Sequence, residues 1–166
     1  ARVSPLAKLV ACVESLAPLL ERPCLVVGKS TVPVGTADRL ADRLAELAPV
    51  GAQAELAWNP EFLREGHALE DTLTPDRLVF GVRSAEAEAV LRTVYASTIA
   101  ASTPVVVTDF ATAELVKVSA NAFLATKISF INAMAELCEA TGADVTQLAD
   151  ALGHDARIGR KRSEER

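Results

Sequence analysis

Aromatic side chains are scarce in this sequence: five Phe, one Trp and one Tyr among 166 residues. The interior must be filled by Ala, Val and Leu, and half of the residues are hydrophobic, enough for a core of one-domain size. Basic residues are not in excess. Lys and Arg number 17 against 22 Asp and Glu, a net charge of −5, which argues against nucleic acid or an anionic membrane as a partner. Cysteine is equally thin. Cys12, Cys24 and Cys138 lie far apart in apolar surroundings, with neither metal-ligand spacing nor a disulfide framework, so no metal is expected. A reducing, cytoplasmic setting fits. No signal peptide is read at the start, where prolines stand at 5 and 18 and no long apolar run precedes a cleavage site.

Gly and Pro are missing from one long stretch, Thr112 to Ala140, which reads TAELVKVSANAFLATKISFINAMAELCEA. A helix of that length runs roughly 40 Å. Only Glu114, Lys117, Lys127, Glu136 and Glu139 are charged in it. A helix apolar nearly all round is expected to be packed on several sides. Asn121, Asn132 and two lysines make it too polar for a membrane span. Lys117 and Asn121 are spaced i, i+4 and share a face. Spacing alone leaves two readings open: a cation and an amide aimed at one ligand, or a lysine stem reaching solvent beside a backbone-bonded Asn.

The rest of the chain alternates strands and helices. Ser4 to Leu20 has helical apolar spacing, CLVVG at 24–28 fits a buried strand, and a helix opens at Gly35 or Thr36 and runs to about Ala48. Ala54 to Trp58 is a second strand, broken by Asn59-Pro60, with a short helical turn expected around Phe62 to Leu69. Arg77 to Val82 is a third strand. Ser84 caps a helix that reaches Ala96, with Glu86 and Glu88 in its first turns. Pro104 to Val107 is a fourth strand, Thr108-Asp109 can cap the long helix, and Thr141-Gly142 stops it. Asp144 to Gln147 resembles a capping box for a last short helix. The order implies an α/β fold with a partial, Rossmann-like parallel sheet, flanking helices and a long central helix. Ligands in such sheets sit at the carboxyl ends of the strands, which here carry KST, WNPEF and TDF. The segment 157–166 is charged, without apolar periodicity, and reads as a frayed tail.

Two of those strand ends carry candidate chemistry. In NPEFLREG, Glu61 and Glu65 are four apart, and on a helix both carboxylates would share a face, an arrangement suited to acid–base work. The alternative is two solvated glutamates. In KSTVPVG, the hydroxyls of Ser30 and Thr31 can bond a cofactor or a water, or simply close a turn.

Three segments together carry a resemblance: KSTVPVGT, NPEFLREGHALEDTLTPDRLVFG and AELVKVSANAFLATKISFINAMAELCEATGADV. In order and spacing they resemble the nucleotide-sugar 6-dehydrogenases, and among them those acting on UDP-glucose, over about Val26 to Lys161. The resemblance implies oxidation of a sugar-nucleotide C6 alcohol to a carboxylate, two hydrides passing to two NAD molecules, with a covalent thiohemiacetal and thioester on a cysteine. It implies that Glu61 is the acid–base residue for thioester hydrolysis. Phe62, Leu63 and Arg64 would line the sugar, with Glu65 in the substrate site and also touching NAD. Ser30, Thr31 and Val32 would contact NAD, and Thr31 would help hold the catalytic water. Lys117 would stabilise the oxyanion developing at C6, assisted by Asn121. The expected division is 1–108 as the second half of an NAD-binding domain, 109–156 as a helical dimerisation region, and 157–166 as the tail. The expected partners are a UDP-sugar and a second copy paired through the 112–140 helix.

The family's G-x-G-x-x-G loop is absent from these residues, and after HDARIGRK the chain reads RSEER where the family continues to its nucleophilic cysteine. The expectation is therefore a middle piece of such an enzyme, inactive by itself. GDP-mannose is the alternative substrate. A non-catalytic, self-associating remnant is the alternative in kind.

Overall fold

A computed structural model describes residues 4–159. These fall into two compact units that divide between Val118 and Ser119. The expected tail lies outside the described residues from Arg160 onward.

The first unit is an α/β layer. Its elements are α1 (Pro5–Leu16), β1 (Cys24–Gly28), α2 (Thr36–Leu47), β2 (Ala54–Trp58), α3 (Ala68–Leu73), β3 (Leu78–Gly81), α4 (Ala85–Val94), α5 (Ala96–Ala100), β4 (Val105–Thr108) and the start of α6 (Phe110–Thr141). Local chemistry explains their ends. Ser4 accepts the Ala7 N–H at 3.1 Å with Pro5 at the first helical position, and Ser84 accepts the Ala87 N–H at 3.0 Å. Asp109 caps α6 by accepting the Thr112 N–H at 2.7 Å, and these Thr112 bonds hold its carboxyl below the usual range. Asp144 accepts from Thr146 and Gln147 and opens α7 (Val145–Gly153) in the second unit.

The sheet order is β1-β2-β3-β4. β1 pairs with β2, and β3 with β4, in parallel, but β2 meets β3 antiparallel through the pair Trp58↔Gly81. The uniformly parallel sheet expected from the alternation is thus reversed at its centre. The connection between β2 and β3, residues 59–77, carries one six-residue helix, α3. Trp58 and Gly81 are the last residues of their strands. Gly28, Trp58, Gly81 and Thr108 therefore form one row, and all four strands end there.

One face of the sheet packs Leu56, Trp58 and Val79 against Leu40 and Leu44 of α2 and Phe110 and Ala113 of α6. The other packs Ala57, Leu78 and Phe80 against Leu91 of α4. A leucine as buried as Leu44 or Leu91 contributes about 1.5–3 kcal/mol. The Trp58 ring covers Gly28 so closely that any Cβ there would overlap it.

In the second unit, Ile131, Cys138 and Gly153 are buried. Phe123, Phe130 and Leu137 are exposed by 55%, 52% and 56%. Among the described residues the expectation of a helix packed on several sides is not met in the second unit, where one further described helix, α7, covers it. Among the described residues no helix is long and apolar enough to cross a membrane.

Candidate active site

At the row of strand ends Lys29-Ser30-Thr31 after β1 and Asn59-Pro60-Glu61 after β2 leave side by side, whereas β4, on the antiparallel side of the sheet, sends Asp109 the opposite way. Asn59 is 1% exposed and ties the β1 and β2 exits together. Its backbone N–H donates to the Gly28 carbonyl at 2.8 Å and its Nδ2 to the Val79 carbonyl at 2.9 Å. Its Oδ1 accepts from the Tyr95 hydroxyl at 2.6 Å and from Lys29 Nζ at 3.0 Å.

Beyond Asn59 the chain is not helical. The helical turn expected around Phe62 to Leu69 is instead an irregular segment with a turn at Glu65–Gly66, and helix begins only at Ala68. Pro60 fixes its own φ, and Gly66 sits at φ 81, a conformation that breaks any helix through it. Glu61 and Glu65 consequently share no helix face, and the paired-carboxylate reading is withdrawn. Glu61 is exposed and makes no hydrogen bond to another described residue, as is true of Glu65. Leu63 and Arg64 are exposed as well. The Arg64 backbone N–H donates to Asp71 Oδ2 at 2.7 Å, and its Nε to the same carboxylate at 3.1 Å. Those bonds hold the Asp71 carboxyl down at about 2.

Phe62 is half-buried and lies against two cations: Arg77, 3.9 Å from its ring centroid, and Lys117, 5.1 Å. Burial lowers the proton affinity of Lys117, the Glu61 carboxylate raises it and the Arg77 cation lowers it. Lys117 and Glu61 are thus brought within electrostatic reach across 56 residues of sequence. Glu61, Phe62 and Leu63, with Lys29, Arg77 and Tyr95, line a cavity of about 120 Å³.

Ser30 and Thr31 are exposed, and neither hydroxyl bonds another described residue. They border a second cavity, of about 280 Å³, with Ser4 and Leu9 of the α1 region. Two free hydroxyls at a strand end fit the polar edge of a dinucleotide. Val32 lines the same cavity but is 6% exposed and belongs to the core. Asn121 is exposed, on α6 within the second unit.

Sequence reasoning passed over Lys29, Asn59, Arg77, Tyr95 and Glu114. Two signals were available: Tyr95 is the only tyrosine, and Lys29 directly precedes the hydroxyl pair.

Residues 4–99 match the model of the UDP-glucose/GDP-mannose dehydrogenase family, NAD binding domain, and residues 111–165 match the central domain of the same family. The UDP-glucose 6-dehydrogenase of Rickettsia typhi is 48% identical over 148 residues, 89% of this chain and 33% of that protein. The UDP-glucose 6-dehydrogenase TuaD of Bacillus subtilis is 47% identical over 138 residues, 82% of this chain and 29% of that protein. The chain spans about a third of the length of the curated relatives it matches. Among solved structures, a UDP-glucose dehydrogenase from Pyrobaculum islandicum superposes with a TM-score of 0.85 at 40% identity, over 95% of this chain and 36% of that one. A GDP-mannose dehydrogenase from Pseudomonas aeruginosa, at 24% identity and TM-score 0.84, shares the fold.

Proposed function

Because this chain belongs to the UDP-glucose/GDP-mannose dehydrogenase family, we propose that the complete protein containing it oxidises the C6 alcohol of UDP-glucose to the carboxylate of UDP-glucuronate. NAD, when bound, supplies the oxidising power, one hydride passing to each of two molecules. The observation that carries this reading is the meeting of Lys117, Glu61 and Phe62 beside the strand-end row. Relatives at 48% and 47% identity are UDP-glucose 6-dehydrogenases, which favours UDP-glucose over GDP-mannose.

The chain's residues divide the work. Taking hydride from C6 requires the alcohol proton to leave, so negative charge grows on the C6 oxygen. Lys117, an ammonium partly withdrawn from water, stabilises that charge more strongly than an exposed lysine would. The free Glu61 carboxylate takes and returns a proton when water releases the acid. Phe62 and the backbone of Leu63 and Arg64 shape the sugar's surroundings, Glu65 lies beside sugar and dinucleotide, and the Asp71–Arg64 pair holds that segment in place. The hydroxyls of Ser30 and Thr31, with the backbone at Val32, meet the nicotinamide end of NAD, and Thr31 orients the water. Asn121 takes its proposed hydrogen-bonding role at the C6 oxygen from the resemblance alone.

We further read 1–108 as part of the NAD-binding domain and 109–156 as a dimerisation region, working in the cytoplasm. The exposed Phe123, Phe130 and Leu137 support the pairing, and three thiols free of disulfides support the reducing setting. The decisive assay follows NADH absorbance with the complete protein, NAD and either sugar nucleotide. Two NADH per UDP-glucose is expected. Turnover of GDP-mannose with none of UDP-glucose would overturn the substrate assignment.

A further inference from the structure

Lys29 and Tyr95 have no part in the proposed chemistry, yet both converge on one buried side chain two residues before Glu61. Lys29 Nζ donates to Asn59 Oδ1 at 3.0 Å, to the Asn59 carbonyl at 3.4 Å and to the Tyr95 oxygen at 3.2 Å. The Tyr95 hydroxyl donates to the same Oδ1 at 2.6 Å. The Lys29 ammonium also lies 5.8 Å from the Tyr95 ring centroid. Asn59 is thereby bonded through its N–H, its carbonyl, its Oδ1 and its Nδ2. A buried amide satisfied this fully has one orientation, and the bond from a cation is the stronger kind.

The consequence passes down the chain by covalent geometry. The carbonyl that Lys29 grips is the amide joining Asn59 to Pro60, so the plane of that peptide is set. Pro60 is itself buried and its ring locks φ. Only the ψ of Pro60 then separates the fixed peptide from the Glu61 backbone. Lys29, Asn59, Pro60, Glu61 and Tyr95 line one cavity, so these bonds operate at the wall where Glu61 emerges. Lys29 is also bonded in sequence to Ser30, so one cation registers the carboxylate exit against the hydroxyl exit.

We propose that Lys29 and Tyr95, acting through Asn59, are positioning residues that fix where the backbone presents Glu61 to the cavity. This rests on the role given to Glu61 above.

Tyr95→Phe tests it with little damage, since the ring can keep its place 5.7 Å from Phe80. In the complete protein, kcat with UDP-glucose and NAD should fall about tenfold with KM unchanged, the equivalent of one net hydrogen bond. Lys29→Met should act likewise. In a Glu61→Gln background neither change should cost anything further, because a residue acting through another is silent once that other is gone. An unchanged kcat, or a loss that persists in full beside Glu61→Gln, would overturn the proposal. Should Glu61→Gln alone turn over like the parent, the role of Glu61 falls. Exchange of the Asn59 amide hydrogen then decides the positioning claim: about tenfold faster in Tyr95→Phe at an unchanged unfolding midpoint upholds it, and unaltered exchange overturns it.

Discussion

The Glu114 carboxylate, 1% exposed on α6, accepts the backbone N–H of Ala37 at 2.6 Å across 77 positions of sequence. Its other oxygen accepts the Gly35 N–H at 2.6 Å. α2 begins at Thr36 behind Gly35, a residue with no side chain to cap it, at φ 86. Glu114 supplies from a distance what the N-cap position lacks, an anion at the positive end of a helix. The same bonds fasten the Ser30–Thr31 loop to the helix that carries Lys117, one turn further along.

Glu114→Gln keeps the shape but turns a donor toward one of the two N–H groups. The expected cost is about 1–3 kcal/mol, the penalty of leaving one buried donor unpaired. Urea unfolding measures it as a lower midpoint at unchanged slope. An unshifted midpoint would mean that the cap contributes nothing.

Lys117→Met should reduce kcat on the order of 10²–10³-fold, the usual loss on removing a group that stabilises developing negative charge. The pH profile adds a sign. The ammonium of Lys117 gives up its proton at lower pH than an exposed lysine, chiefly through burial, with Arg77 adding to the effect. Activity that depends on that ammonium falls as pH rises through the lowered value. Arg77→Met removes a repelling cation, so the alkaline limb should move upward. A limb that moves down or stays would separate Arg77 from Lys117.

Asp71 gives a second pH dependence. Its carboxyl titrates at about 2 in the fold against 3.8 unfolded, mainly because the Arg64 side chain bonds its charged form. A depressed acid stabilises the fold fully above its unfolded value and ceases to do so as pH falls through its folded one. Stability should decline between about pH 4 and about pH 2 with a share that Asp71→Asn abolishes. Parallel pH–stability curves for parent and variant would contradict the assignment.

The strands and the long helix were legible because their signals are local. CLVVG and AELAW are apolar runs between breakers, and Asp109 and Gly142 bracket α6. The family was legible through three motifs taken together. What escaped depends on distant partners. Nothing near Glu114 in sequence points to Gly35, and nothing in NPEF announces that its Asn will hold Tyr95 and Lys29. No helix covers 62–67 because Gly66, at φ 81, takes a conformation that breaks one there, and the apolar spacing of that stretch does not reveal it. The reversal at β3 escaped because it rests on one long-range pair, Trp58↔Gly81, that no local signal marks.

The second unit leaves Phe123, Phe130 and Leu137 each more than half exposed. Phe123 and Phe130, with Ile131, Leu152 and Ile158, border an apolar hollow of about 330 Å³. Exposed apolar surface beyond roughly 600 Å² is unusual on a monomer, and three such side chains with their neighbours approach that scale. A second copy covers them most economically, because a twofold axis lets one patch serve as both halves of the interface. The contact should bury at least about 1,000 Å² in total to persist at micromolar concentration. Sedimentation should then report a dimer for the parent. Phe130→Asp, which places a charge in the middle of that surface, should report a monomer that keeps its helical circular-dichroism signal and unfolds at a lower, concentration-independent midpoint. A monomer mass for both would show that the exposed stripe serves some purpose other than pairing.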